Sequence, residues 1–163
     1  MITIAELALI EGTTVPGLRN RTSIDDMPFS NRAHYKKYGP THLMALSLQR
    51  ELIAQSLQRR ETALALQGVQ DAMVWLVSAP EGGGLLFFKY HESGESTVGA
   101  VVGRKDELQR LIATSCEASS GASVQLVLVD AERAWRDATE RARQAGFDLR
   151  PEGIEQRSGI KAA

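Results

Sequence analysis

Apolar positions near the start of the chain recur at helical spacing. Thr3 followed by Glu6 is the sequence of a capping box, so we predict a helix that begins near Ile4. The helix is short because Gly12 can adopt the left-handed conformation that ends a helix.

A second short helix is predicted directly after this glycine. Thr13 or Thr14 can cap it, and Pro16 suits its first turn. Two short helices at this spacing indicate a helix-turn-helix, in which Val15 to Thr22 would enter the major groove of DNA. Gly17 costs up to about 1 kcal/mol relative to alanine, unless a close approach to another group requires it.

Two longer helices are predicted before residue 68. Pro28 breaks the pattern and forces a turn, after which a third helix begins near Thr41 and a fourth covers Leu57 to Gln67. The third helix has a broad apolar surface made of Leu43, Met44, Leu46, Leu48, Leu52 and Ile53.

From Gly68 the pattern changes to one typical of strands. Three segments are rich in β-branched and aromatic residues and are separated by short loops, which favours antiparallel hairpins. The predicted strands are Ala72–Ala79, Leu85–His91 and Thr97–Val102.

The remaining pattern alternates helix and strand. A helix is predicted from Lys105 to about Ser115, then a strand at Val124–Val129, then a helix that Asp130 caps and Gly146 ends. The alanine-rich stripe of the last helix contains Ala131, Ala134, Trp135, Ala138 and Ala142.

These elements predict an α+β protein in two parts. Residues 1–67 would form a winged helix-turn-helix, and residues 68–150 a small α+β domain of order β-β-β-α-β-α that serves dimerisation or sensing. Residues 151–163 would form a polar tail. A domain of about 80 residues is marginal alone, so we expect it to pair with a second copy through an edge strand or the alanine-rich stripe.

Composition excludes a membrane-spanning protein. The chain has 163 residues, of which 43% are hydrophobic and 24% charged, and no apolar run approaches the roughly 20 residues that span a bilayer. No signal segment opens the sequence, and its single cysteine forbids an internal disulfide. We therefore expect a cytoplasmic protein.

The net charge of −1 conceals an uneven distribution. Residues 1–67 contain 8 basic and 6 acidic residues, a balance of +2, whereas residues 68–163 contain 11 and 14, a balance of −3. A local basic cluster on a nearly neutral protein is typical of a nucleic-acid footprint. Its members are Arg19, Arg21, Arg32, Lys36 and Lys37.

Basic and aromatic residues are concentrated in the loop before the third helix. Its basic side chains Arg32, Lys36 and Lys37 can neutralise phosphates, and Tyr35 and Tyr38 can pack on sugars or donate to phosphate oxygens. His34 would be a further donor. The alternative is a solvated surface loop with two half-buried tyrosines.

The order of these motifs resembles the winged-helix DNA-binding domain of the MerR family of bacterial transcription regulators. The resemblance rests on Leu18-Arg19, Pro28, Arg32 and the run from Tyr35 to Leu43, and covers roughly the first 40% of the chain. It implies DNA contacts from Arg19 in the second helix and from Arg32, Tyr35 and Lys36 in the wing.

Two features depart from that family. Asn20 and Arg21 stand where the family usually has two tyrosines. Asn and Arg are nonetheless good readers of adenine and guanine. The chain also lacks the long heptad helix that forms the family's dimer, so dimerisation must use another surface.

Other candidate sites have simpler interpretations. We interpret Glu81–Gly84 as a hairpin turn, Cys116 as a core residue, and Trp75 and Trp135 as core aromatics. The three histidines are too far apart in sequence to indicate a metal site, and no catalytic constellation indicates an enzyme.

The sequence therefore predicts a homodimeric transcription regulator that binds double-stranded DNA without a cofactor. A pocket in the second domain that senses a ligand would be a narrower version of this function. RNA polymerase or another regulator would be a further partner. The alternative is an adaptor or antirepressor that binds another regulatory protein rather than DNA. The predicted DNA-binding residues are Thr14, Val15, Arg19, Asn20, Arg21, Arg32, His34, Tyr35, Lys36 and Lys37.

Overall fold

The computed structural model describes residues 1–21, 37–55, 57–92, 95–118 and 124–157. Within these ranges the chain contains both helices and a small antiparallel sheet, which confirms the α+β class. The helices are α1 (Ile4–Ile10), α2 (Val15–Arg21), α3 (Pro40–Ala54), α4 (Arg59–Gly68), α5 (Gln70–Ser78), α6 (Leu108–Ala118) and α7 (Ala131–Gln144).

The described strands form two antiparallel sheets. The larger has the order β2-β1-β3, and the smaller is a hairpin of β4 and β5. A 3₁₀ turn at Lys105–Glu107 leads from β2 into α6. The strands are β1 (Gly83–Glu92), β2 (Glu95–Arg104), β3 (Val124–Asp130), β4 (Phe147–Arg150) and β5 (Gly153–Gln156).

The strand predicted at Ala72–Ala79 is wrong, because this segment forms α5. Met73, Leu76 and Val77 are buried at helical spacing, whereas Val74 remains 61% exposed. A short apolar run rich in valine cannot be assigned to helix or strand from its period alone. The predicted order β-β-β-α-β-α is therefore also wrong.

The loop at Glu81–Gly84 consequently connects a helix to a strand and is not a hairpin turn. Gly82 in this loop has φ of +71°, a conformation that glycine adopts without strain. The other predicted hairpin, between the strands expected at Leu85–His91 and Thr97–Val102, is confirmed as β1 and β2, with Leu86 opposite Val101.

The chain beyond α7 is more ordered than its sequence suggested. Gly146, with φ of +85°, ends the helix region as predicted and leads into β4. Phe147, Leu149 and Ile154 are buried in the β4–β5 hairpin, which packs against α7. The segment predicted as a polar tail thus includes β5.

The alanine-rich stripe of α7 is occupied within the chain. Ala131, Ala134, Ala138 and Ala142 are all fully buried. Small side chains at these positions allow close packing of α7 against its neighbours, chiefly α3 and β4. The proposal that this stripe forms a dimer contact is therefore wrong.

Two hydrophobic clusters hold these elements together. The first joins the inner face of the large sheet, including Leu85 and Phe87, to α3, α4, α5 and α7. The second joins α1 and α2 to other positions of α3 and α7 and to the β4–β5 hairpin. Both clusters contain residues from both sides of residue 68. The division into domains at that position stays a prediction.

A buried ionic network links the same helices at the second cluster. Glu11 caps the C-terminus of α1, and its side chain is 0% exposed. Arg50 of α3 donates to its carboxylate at 2.7 Å, and Arg141 of α7 donates to the other oxygen at 3.4 Å. Arg141 also donates to the Ser47 hydroxyl at 2.7 Å and to Asp137. One carboxylate thus connects the end of α1 to both central helices.

Neutralising this carboxylate should destabilise the protein. We expect Glu11→Gln to lower the free energy of unfolding by about 3 kcal/mol, because Arg50 would lose its carboxylate partner and the largely buried Arg141 would lose one of its two. Urea denaturation monitored by circular dichroism measures this change.

Glu51→Gln is a matched control for this prediction. Glu51 pairs with Arg133, whose side chain is 72% exposed, so we expect a loss of at most about 1 kcal/mol. Equal losses in the two variants would contradict the special role of the Glu11 network.

Candidate nucleic-acid interface

The interface begins with the turn between α1 and α2. The predicted capping box at the start of α1 is confirmed, since the Thr3 N–H donates to Glu6 Oε2 at 2.7 Å and the Glu6 N–H donates to Thr3 Oγ1 at 3.3 Å. Gly12 has φ of +62°, the left-handed conformation predicted for it. The Thr13 N–H then donates to the Ala8 carbonyl at 2.9 Å and closes the end of α1.

The first turn of α2 explains both its capping threonine and its glycine. Thr14 Oγ1 accepts from the Gly17 N–H at 3.1 Å and so caps the helix. A Cβ at Gly17 would lie 2.7 Å from Thr13 Oγ1 and 3.2 Å from Thr14 Oγ1. The hydroxyls of Thr13 and Thr14 therefore provide the close approach that accounts for a glycine inside this short helix.

Leu18 determines which face of α2 is exposed. Its side chain is fully buried in the second cluster, and Val15 is half-buried against the same cluster. Arg19 and Asn20, which follow Leu18, are exposed, as is Thr14. Among the predicted DNA-binding residues of α2, Arg19 and Asn20 are thus accessible to a ligand, while Val15 mainly packs.

The segment at residues 37–39 lies close to α2. Burial raises the pKa of Tyr38, and the positive charge of Arg19 partly opposes this increase. Tyr38 and Leu18 of α2 belong to the same hydrophobic cluster. Lys37, which is exposed, is thus next in the chain to a residue that packs with α2.

Tyr38 has a structural role, because its ring is buried. Its side chain is 4% exposed, and its ring meets that of His42 edge-on at a centroid distance of 5.3 Å. Its backbone forms two 2.8 Å hydrogen bonds with Ile2, an isolated antiparallel bridge. The expectation that Tyr38 packs on sugars or donates to phosphate is wrong, because this side chain holds the start of α3 against the N-terminus.

The remaining predicted wing residues lie in the segment 22–36, outside the described residues. This applies to Arg32, His34, Tyr35 and Lys36. Arg21 completes α2, but its side chain is not among those described. The roles of these five residues stay predictions.

His42 completes the start of α3. Its Nδ1 accepts from the Gly39 N–H at 3.1 Å, so the ring carries its proton on Nε2 and acts as the N-terminal cap that Gly39 cannot supply. Burial lowers the pKa of His42 below its ordinary value, because a charged imidazolium would lose its hydration.

Two other sequence interpretations are corrected by the exposure of their side chains. Cys116 is exposed, whereas its neighbour Ser115 is buried at 2% and donates to the Leu111 carbonyl. Trp75 is 40% exposed, while Trp135 packs against both clusters as predicted. Cys116 is therefore not a core residue.

The described residues also contain a cleft in the second half of the chain. It has a volume of about 400 Å³ and lies between Pro80 and one face of α7, with Trp135 in its wall. Glu132 in this wall pairs with Arg136, and Glu140 pairs with Arg143. Both of these carboxylates in the cleft wall are thus already paired with arginines of α7.

Among the described residues, no group of three or more histidine, cysteine or carboxylate side chains is placed to hold a metal ion. No helix within the same ranges combines the length and the apolar character that crossing a bilayer requires.

Protonation of His42 should destabilise the protein at acidic pH. Its pKa is lower in the folded chain than the ordinary value of 6.5, so the unfolded chain binds the proton first. The contribution of His42 to stability is complete above pH 6.5 and decreases as the pH falls toward the folded pKa. Urea denaturation at a series of pH values measures this loss.

His42→Gln is the variant that isolates this titration. Glutamine at the same helix position can accept from the Gly39 N–H without binding a proton. We expect its stability to depend less on pH below 6.5 than that of the wild type. Parallel curves for the two proteins would show that His42 does not cause the acid sensitivity.

No family model matches the chain, and no curated protein matches it significantly.

Proposed function

We propose that the chain is a sequence-specific DNA-binding transcription regulator that acts as a homodimer, with α2 in the major groove. The observation that carries this proposal is the exposed pair Arg19 and Asn20 on a short capped helix. The resemblance to the MerR-type winged helix, read from the sequence, supports the same function.

The chemistry of the exposed pair suits the edges of base pairs. Asparagine can donate to and accept from adenine, and arginine can donate twice to guanine, and each such contact discriminates by about 1 to 3 kcal/mol. Asn20 and Arg19 are adjacent on α2, so one helix in the groove would present both.

The surroundings of α2 favour a fixed orientation in the groove. Leu18 anchors one side of the helix in the second cluster, and the Glu11 network fixes the preceding turn to α3 and α7. A site held by buried packing loses little conformational freedom when it binds. Lys37 would contact phosphate at the edge of this surface, joined in the proposal by Arg32, Lys36 and Tyr35 from the segment 22–36.

A second candidate function is that of an adaptor that binds another regulatory protein. The observation that favours it is Leu9 on α1, which is 54% exposed at the rim of a cleft of about 280 Å³ between α1 and α7. A partner that filled this cleft would remove the Leu9 side chain from water. Such an interface would respond little to salt, whereas DNA binding would weaken steeply.

Replacing Asn20 should relax sequence preference. We expect Asn20→Ala to reduce the discrimination between the best DNA site and its variants by about 1 to 3 kcal/mol at one base pair. Selection of genomic DNA fragments, followed by anisotropy titrations of the best fragment and its single-base variants, measures this change. A uniform loss for all sequences would show that Asn20 does not read a base.

Replacing Lys37 should weaken binding to all sequences alike. We expect Lys37→Ala to reduce the slope of log affinity against log salt by about 0.9, the value for one phosphate contact. Arg110→Ala is the matched control, because this substitution removes the same charge at a different place. The Arg110 side chain is 72% exposed on α6, away from α1 and α2 in the chain. Equal slopes in the wild type and the Lys37 variant would remove Lys37 from the interface.

Selection that enriches no DNA site, together with salt-independent capture of a regulatory protein, would favour the adaptor function. A Leu9→Glu variant then tests whether the α1 surface forms that contact, since a buried carboxylate would weaken an apolar interface.

A further inference from the structure

The larger sheet has an unusual edge at β3. On one side β3 pairs with β1, and no other strand among the described residues pairs with its far side. The strand has seven residues, and the only charged one is Asp130 at its end. Exposed strand edges usually carry charges, proline or a bulge that prevent pairing with another chain. β3 has the composition of a strand that is paired on both sides.

The other edge of the sheet differs from β3. Helices contact both edge strands, α4 and α6 at β2 and α3 and α7 at β3, but at β2 the position that a Cβ at Gly103 would take is filled by Leu111 of α6. β2 also ends at Arg104, an exposed charge paired with Asp106. On β3, by contrast, Leu128 is 40% exposed on the outer face of the sheet.

We propose that β3 pairs with β3 of a second copy of this chain, antiparallel about a twofold axis through Val127. The central sequence Leu126-Val127-Leu128 reads the same in both directions, so an antiparallel copy presents an identical surface to it. The pairing places Leu126 opposite Leu128, Gln125 opposite Val129 and Val124 opposite Asp130 of the second copy.

This register pairs leucines that lie on the same face of the sheet. Leu126 and Leu128 lie on the same face because side chains alternate along a strand. Each copy therefore covers the exposed Leu128 of the other with its own Leu126, in two equivalent cross-strand pairs. No charged residue faces another charged residue, since Asp130 lies opposite Val124.

The twofold axis also determines where the two copies of α1 and α2 would lie in the dimer. A twofold axis perpendicular to the sheet joins two three-stranded sheets into one of six strands and leaves both inner faces on the same side. The helices that cover the inner face connect through α3 and α7 to α1 and α2. Both α2 helices would thus lie on one side of the dimer. This interface supplies the homodimer of the proposed function, although the pairing itself does not depend on DNA binding.

Sedimentation of the full chain without DNA tests the interface. Over concentrations of about 1 to 100 µM we expect a species of twice the 17.8 kDa chain mass. Leu128→Lys should raise the dimer Kd at least about tenfold, because it places an ammonium group between leucines. Leu64→Lys is the control: Leu64 is 55% exposed on α4, and its replacement should leave the Kd unchanged. Circular dichroism shows whether each variant folds.

A cross-linking variant tests the register independently of any loss of stability. Leu126→Cys with Leu128→Cys, in a Cys116→Ser background, should form disulfides between two copies when a Cu(II) oxidant is added. Directly opposed residues on antiparallel strands have Cβ atoms about 4.5 to 5.5 Å apart, close to disulfide geometry. Leu64→Cys in the same background should not form this cross-linked dimer.

A monomer at all concentrations would overturn the inference, as would a dimer that neither weakens with Leu128→Lys nor cross-links. A β3-dependent dimer that enriches no DNA site would uphold the inference while the proposed function fails. DNA binding by a dimer that Leu128→Lys leaves intact would overturn the inference alone.

Discussion

The buried carboxylate of Glu11 is the constraint on which the arrangement of the N-terminal helices depends. A charge removed from water must be paired, and here two arginines from different helices provide the pairing. Because Arg50 belongs to α3 and Arg141 to α7, the end of α1 is fixed relative to both helices at once. The direction in which α2 leaves the turn follows from this fixed point and from the left-handed Gly12.

The two central helices connect the two hydrophobic clusters. α3 and α7 contribute to both hydrophobic clusters, one of which contains the sheet and the other α1 and α2. A displacement at the sheet would therefore reach α2 through packed helices. The Tyr38–Ile2 bridge and the His42 cap add a second connection, which holds the start of α3 against the N-terminus.

Local signals predicted the parts of the fold that depend on local chemistry. The capping box at Thr3, the turn at Gly12 and the cap at Asp130 follow from residues three or fewer positions apart, and the structure contains all three. The strand prediction for Ala72–Ala79 was wrong because a valine-rich run fits both the helical and the strand period. Tertiary packing of Met73 and Leu76 decides between the two. The Glu11 network was not foreseen, since its partners lie 39 and 130 residues away and no local pattern marks them.

The sequence separation between Glu11 and Arg141 has a consequence during synthesis. At about 5 to 20 residues per second, the ribosome adds Arg141 roughly 7 to 26 s after Glu11, because 130 positions separate them. For that interval the nascent α1–α2 segment lacks its contact with α7. A chain that ends before Arg141 thus contains the complete α1–α2 sequence but has only one of the two arginines that pair with Glu11.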